Sequence, residues 1–456
     1  MSRARSHAQT VAERVRKSGA QKVKVAVTDI DGVMRGKYIH IDKFLSALES
    51  GFGFCNVVFG WDSSDVCYDN AAYTGWHTGY PDANVRLDPN TLRTVPWDNG
   101  VPFMLGDFVT ETGDPLAVCP RQLLKRVLGE LEGAGYAAYS SLEYEFFHFH
   151  ETPQSLAENA YTEPEPITPG MFGYSLLRLN QNREYVNALM DELLAFGVPI
   201  EGLHTETGPG VMEAAIVYSE PLEAADRATL FKTASKEIAR RFGIMPTFMA
   251  KWNAELPGSS GHIHQSLWDR GLKKNLFFDA RADGGVSKLF EHYIAGQLAC
   301  LPELLPLYAP TVNSYKRLVE GAWAPTKANW GFDNRTCALR VIAGSPKSTR
   351  LETRVNGADS NPYLAVAAAF ASGLYGIREK LPLAPPVKGN GYADSKAAVL
   401  PRDLWEATQR FKKSKLARAF FGDAFVDHFA ASREWEYRQY ARAVTNWELK
   451  RYFEII

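Results

Sequence analysis

From Val23 to Val27 apolar residues alternate with Lys24 and Ala26, and the alternation resumes from Met34 to Ile39. Asp29-Ile30-Asp31-Gly32 separates the two runs. Period-two patterning on either side of an Asp-Gly turn predicts a β-hairpin. Asp42 to Ser50 reads as a short helix ending at Gly51. A loop through Asp62-Ser63-Ser64-Asp65 follows, then strand-like stretches at Asn84 to Leu87, Arg93 to Pro96 and Val101 to Phe108. Roughly the first 110 residues therefore form a small, strand-rich α+β unit. Gly113-Asp114-Pro115 marks its end. The chain divides into a leader over 1–22, a first domain over 23–112 and a second over 113–456.

Beyond Pro115 the period changes. Leu123, Leu124, Val127, Leu128 and Leu131 recur at helical spacing behind Pro120, a favourable helix opener. Helices are predicted over 182–196, 221–242, 287–305 and 361–379, the last rich in alanine and buried. Strands are predicted over 198–206 and 211–217, on either side of Gly208-Pro209-Gly210, and after Pro246. Glu151 to Met171 is rich in Pro, Glu and Thr and reads as a surface loop, and the chain beyond Arg402 reads as mainly helical.

The sequence has 456 residues and a formal net charge of -1. A near-neutral chain offers no broad field for nucleic acid or an anionic membrane. No apolar run approaches a membrane span. Ser2 to Gln21 is basic and polar and lacks the apolar centre of a signal peptide, so it reads as a frayed leader or a short helix. The five cysteines are scattered, with no CxxC pair, which argues against a disulfide framework or a zinc site and for the cytoplasm.

The chemistry gathers on strands. In Ser141-Leu142-Glu143-Tyr144-Glu145-Phe146-Phe147-His148-Phe149, alternation puts Glu143 and Glu145 on one face and Tyr144 and Phe146 on the other. Adjacent carboxylates flanked by apolar residues repel unless a positive charge lies between them, and a hard divalent cation suits oxygen ligands. A second acidic pair, Glu206 and Glu213, is brought together by the Gly-Pro-Gly turn. Gly258-Ser259-Ser260-Gly261 reads as a loop that lets backbone approach a ligand, and His262 and His264 share a strand face after it. Basic clusters follow at Lys316-Arg317, Arg335 to Arg340, and Arg350-Leu351-Glu352-Thr353-Arg354. Several glutamates for two cations, with arginines for phosphate oxygens, is the equipment of phosphoryl transfer from ATP.

These motifs, in this order, resemble the glutamine synthetase superfamily of the bacterial type I kind, from about Val23 to the C-terminus. They are Glu143-Tyr144-Glu145, Glu206…Pro209-Gly210…Glu213, Gly258-Ser259…His262-Ile263-His264-Gln265-Ser266, Asn313 to Leu318, Asn334-Arg335…Arg340, and Arg350 to Arg354 followed by Asn361-Pro362-Tyr363-Leu364. The resemblance implies an α+β protein. Its first domain would be a β-grasp, and its second a catalytic domain with a curved antiparallel sheet and flanking helices. It implies a ring homo-oligomer, hexamer or dodecamer, with active sites between subunits. It implies glutamate, ATP and two or more Mg²⁺ (or Mn²⁺) ions per site. By position, Glu145, Glu206 and Glu213 match the metal nearer glutamate, and Glu143, His262 and Glu352 the metal at the ATP phosphates. Arg317 matches the clamp on the glutamate α-carboxylate, and Gly258 the contact to its amino group. Arg335 and Arg340 match phosphate-binding arginines, and Arg354 the one that neutralises the γ-carboxylate and the transferring phosphoryl group. Ser266 and Lys347 fall near the nucleotide.

The chain departs from ammonia-using members where the amine should sit. Their flap glutamate, six residues after the clamp arginine, is Trp323 here, with Glu320 nearby. Their ammonium-binding Asp-Gly-Ser-Ser loop is absent, and Asp62 within Phe59-Gly60-Trp61-Asp62-Ser63-Ser64 stands in its region. The asparagine expected before Gly258 is Pro257. Exchanging a carboxylate for an indole removes negative charge and adds apolar surface, which favours an amine with a hydrocarbon part. The expected activity is ATP-dependent ligation of the glutamate γ-carboxylate to an alkyl or aromatic amine through γ-glutamyl phosphate. The alternatives are an ordinary glutamine synthetase using ammonia, in which Trp323 packs the flap and Glu320 serves as acid–base group, and a non-catalytic relative, disfavoured by six filled metal-ligand positions.

Overall fold

The computed structural model describes residues 7–456. The first hairpin forms as its alternation predicts: Lys22–Thr28 pairs antiparallel with Met34–His40. Asp29 closes the turn by accepting the Asp31 and Val33 N–H groups on Oδ1. Lys22–Thr28 also pairs in parallel with Val101–Val109, which continues through Asp82–Leu87 to Phe52–Cys55, while Arg93–Val95 pairs with the same central strand. Val23, Val25 and Val27 point into a small core with Phe44 and Ala47 of helix Ile41–Ser50. From His7 to Lys17 the stretch read as a leader is a helix, and its Val11 and Val15 are buried in that same core. Residues 1–6 of that leader lie outside the described residues.

The larger sheet is organised on the 14-residue strand Tyr136–Phe149. Its order is Trp330–Phe332, Leu339–Ile342, Arg350–Thr353, Ile263–Asp269, Tyr136–Phe149, Val211–Ile216 and Ile200–Thr205, with Met245–Thr247 also paired to the central strand. Pairing is antiparallel throughout except between Trp330–Phe332 and Leu339–Ile342, which run parallel, so the expected antiparallel sheet is mixed at one edge. Tyr144 and Phe146 are fully buried against Phe231 of helix Pro221–Ala239 and against Phe248. With that face committed to the core, Glu143 and Glu145 are left on the other.

Helix Pro362–Arg378 is buried along nearly its whole length. It crosses helix Lys288–Leu304 at Gly296, where a β-carbon would lie 2.2 Å from the Ser372 carbonyl. The C-terminal helices include Asp423–Arg442, which holds the long loop after Phe59. Asn70 Nδ2 donates to the Ala431 carbonyl, and Trp435 Nε1 donates to Asp62 Oδ2 at 2.9 Å. No helix among the described residues is long and apolar enough to cross a membrane.

Candidate active site

Strands of the larger sheet converge on one cavity of about 660 Å³. Tyr136–Phe149 supplies Glu143 and Glu145, Arg350–Thr353 supplies Glu352, and His262 and His264 come from the start of Ile263–Asp269 and the residue before it. His262 Nδ1 lies 2.8 Å from Glu143 Oε1 and 3.2 Å from Glu352 Oε1, and His264 Nε2 lies 3.3 Å from Glu143 Oε2. Glu352 also receives Arg354 Nη1 at 2.6 Å and Arg340 Nη1 at 3.0 Å. On the other side of the cavity His204 Nε2 lies 3.3 Å from Glu213 Oε1, and its Nδ1 3.9 Å from Glu206 Oε1.

Two groups each offer ligand atoms within 4.8 Å of one another: Glu143, His264 and Glu352, and His204, Glu206 and Glu213. A set this rich in carboxylate oxygen, with imidazole nitrogen beside it, fits hard divalent cations. The buried Nε2 of His262 has no hydrogen-bond partner among the described residues. Glu145 stands between the two groups, and the Ser260 N–H donates to its Oε2 at 2.7 Å.

The charges in the cavity are balanced unevenly. Burial alone would raise the Glu143 carboxyl, but His264 and His262 outweigh it and hold the group well below the usual carboxylate range. Burial is likewise overcome at Glu352 by Arg354 and the two histidines, which bring it down to about 2. Glu145 and Glu213 are pushed up, by burial first and then by neighbouring carboxylates. The hydrogen bond to Glu213 raises His204 to about 9. One end of the cavity is thus firmly anionic and arginine-lined, while at the other burial raises two carboxyls.

Arg317 is buried, with Nη2 donating to the Arg354 and Asn356 carbonyls at 3.0 and 2.8 Å, so it braces the segment after Glu352 as well as lining the cavity. Gly258 packs on it: a β-carbon there would come within 2.5 Å of the Ala250 carbonyl and 2.7 Å of Arg317 Cγ. Arg335 reaches the same cavity, and Trp323, 60% exposed at a left-handed φ of 58°, stands at its edge. Trp323 and Arg335 also line an adjoining groove with Phe332, Pro386 and Val387.

Ser266 and Lys347 line a second cavity, of about 900 Å³, which shares Glu143, His264 and Arg350 with the first. The chain does not bring Asp62 to either one: its carboxylate caps its own loop by accepting from the Ser64 and Val66 N–H groups and from Trp435. Sequence reasoning passed over His204 and Tyr174, whose rings stack at 4.4 Å beside Glu206. His204 stands two residues before Glu206, the same spacing as Glu143 and Glu145, and that was its signal. Tyr174 lies in irregular chain with no periodicity to expose it.

The sequence profile of the glutamine synthetase catalytic domain matches residues 117–452. Type-1 glutamine synthetase 2 of Dictyostelium discoideum is 52% identical, covering 95% of this chain and 84% of that one. Glutamate–isopropylamine ligase of a Pseudomonas species is 37% identical over 97% of both chains. A solved GmaS–ADP complex superposes with a TM-score of 0.85 at 27% identity, over 97% of this chain and 99% of that one. Ligases of this family use ATP and divalent metal to join glutamate to ammonia or an amine. The chain belongs to the glutamine synthetase family and is an ATP-dependent C–N ligase.

Proposed function

We propose that this enzyme joins the γ-carboxylate of glutamate to an alkyl or aromatic amine, giving a γ-glutamylamide, ADP and phosphate. The observation that carries the reading is Trp323: an indole, with Phe332, Pro386 and Val387 beyond it, stands at the cavity's edge. A carboxylate there would favour a small cation; an apolar wall favours a hydrocarbon-bearing amine, by about 25 cal/mol per Å² buried. The relative named for isopropylamine supports the same reading. Ammonia is the second reading, favoured by the type-1 glutamine synthetase at 52% identity.

In the proposed reaction a γ-carboxylate oxygen attacks the ATP γ-phosphorus and ADP leaves. The amine nitrogen then attacks the acyl carbon of γ-glutamyl phosphate, loses a proton and expels phosphate. Glu145, Glu206 and Glu213, with His204 beside them, would hold one divalent cation, and Glu143, His262 and Glu352 another, with His264 within reach of the second. Bound there, such cations draw charge from the phosphate oxygens. Arg340 and Arg354, already aimed at Glu352, line the path of the phosphoryl group, and Arg335 meets it from the open side. Arg317 and the backbone at Gly258 hold the glutamate. Ser266 and Lys347 place the nucleotide in the second cavity. In a ring assembly Asp62 serves a neighbouring subunit's site.

Phosphate release from glutamate, ATP and Mg²⁺, measured with ammonia, methylamine, isopropylamine, ethanolamine and benzylamine, tests the reading. The expected outcome is kcat/KM for an organic amine at least about tenfold above that for ammonia, a difference of about 1.4 kcal/mol. Turnover with ammonia alone establishes the second reading instead. In Trp323→Glu the amine KM should rise by about tenfold or more, as a contact worth roughly 1–3 kcal/mol is lost, with KM for ATP unchanged.

A further inference from the structure

A third cavity, of about 350 Å³, shares no lining residue with the two at the active site. It lies at the seam between the first hairpin and helix Pro221–Ala239. Alternation along Lys22–Thr28 sends the valines into the small core and leaves Lys24 and Ala26 facing the helix. The helix answers with Leu230, Thr233, Ala234 and Glu237, spaced to fall on one face. The floor is apolar: Met34, Val95, Phe103, Phe196 and Leu230.

The rim is charged with both signs. Lys24 Nζ sits 2.9 Å from Asp98 and 5.2 Å from the centre of the Tyr38 ring. Glu237 accepts the Trp97 indole N–H and attracts the Lys24 ammonium across the opening. An ammonium and a carboxylate facing each other above an aromatic and aliphatic floor present complementary partners to a zwitterion with an apolar body. The size suits a molecule of about a dozen heavy atoms, since a cavity near 300 Å³ lies at the small end of ligand pockets.

We propose that this seam cavity is a second ligand site, separate from the catalytic one, for a free α-amino acid with an aromatic or large aliphatic side chain. The side chain fills the floor between Phe103, Phe196 and Leu230. The ligand's ammonium meets Glu237 and its carboxylate meets Lys24. Because the site joins the hairpin to the helix that backs Tyr144, an occupant ties the smaller sheet to the strand that carries Glu143 and Glu145.

The test uses L-phenylalanine and the full-length assembled enzyme, saturated with glutamate and ADP so that the catalytic cavities are filled without turnover. Ligand-observed NMR should give saturable binding with a dissociation constant on the order of 1 mM, as ligand size sets. Phenethylamine, which lacks the carboxylate, and 3-phenylpropionate, which lacks the ammonium, should each bind several-fold more weakly. Glu237→Gln, on the exposed rim, should weaken phenylalanine about tenfold while thermal midpoint and turnover stay unchanged. Leu230→Trp, which fills the floor, should abolish binding. The proposal is overturned if phenylalanine shows no saturable binding, if Glu237→Gln binds it as tightly as the parent, or if 3-phenylpropionate binds as tightly as phenylalanine. Should Leu230→Trp not fold, the Glu237→Gln result alone decides.

Discussion

One added methyl group probes the glutamate side of the catalytic cavity. In Gly258→Ala the new carbon meets the Ala250 carbonyl and the buried stem of Arg317, and neither has room to withdraw. The expected cost is about 1–3 kcal/mol of stability, typical of overpacking. KM for glutamate should rise at least about tenfold, because pushing the Arg317 stem aside by even about 1 Å misplaces its guanidinium. Urea unfolding and steady-state kinetics measure the two, and an unchanged KM would remove Arg317 and Gly258 from the glutamate pocket. At this scale much of the site was legible. Glu143 and Glu145 follow from strand alternation against buried Tyr144 and Phe146, and Glu352 and Arg354 from the Arg-Leu-Glu-Thr-Arg run. What escaped either carried a strand spacing that was passed over, like His204 two residues before Glu206, or was placed by irregular chain, like Tyr174. Asp62 shows the converse: its place in the region of the family's ammonium-binding loop suggested site chemistry, but within the chain it accepts from its own loop and from Trp435, away from both cavities.

Helix Asp423–Arg442 carries a histidine whose environment predicts a pH response. His428 is buried edge-on between Phe59 and Tyr73, and neither ring nitrogen has a partner among the described residues. Burial, helped by Arg433, lowers it from 6.5 to about 4. A base depressed in this way is neutral in both folded and unfolded chains above pH 6.5. As pH falls from 6.5 towards 4 only the unfolded chain takes up the proton, so stability falls over that window. His428→Phe should gain about 1–3 kcal/mol near neutrality by removing unsatisfied polar atoms. Its advantage over the parent should widen between pH 6.5 and 4, read as thermal midpoints across that range. A constant difference would mean that His428 takes up its proton alike in the folded and the unfolded chain. Among elements, local patterns were readable and remote pairings were not. The hairpin at Asp29 and the buried helix Pro362–Arg378 follow from alternation and from an alanine-rich run. The parallel pairing of Trp330–Phe332 with Leu339–Ile342 joins strands of three and four residues, too short to show a period.

The two sheets are tied together by a buried charge hub. Arg121 is 2% exposed and binds Asp88 at 2.9 Å and Asp107 at 2.8 Å on the smaller sheet's side, and Asp226 at 2.8 Å on helix Pro221–Ala239. Tyr363 adds a hydroxyl donor to Asp226 at 2.7 Å. Arg121→Met leaves Asp226 without its ion-pair partner and Asp88 and Asp107 with Lys125 alone, and should cost about 3–5 kcal/mol, read from the urea midpoint. Burial alone would raise Asp88, but Arg121 and Lys125 hold it at about 2. Its contribution is therefore complete above pH 3.8 and lost as pH falls through 2, so the variant's acid unfolding should begin at higher pH than the parent's. If the two acid transitions coincide, the hub does not hold the sheets. The same assembly leaves the two large cavities sharing one wall of Glu143, His264 and Arg350. A shared wall turns two separate chambers into one address for a tethered inhibitor. A fragment lodged in one chamber, linked over that wall to a fragment for the other, makes the second association intramolecular. With a linker matched to the span, avidity exceeds either fragment's affinity by about 10²–10⁴.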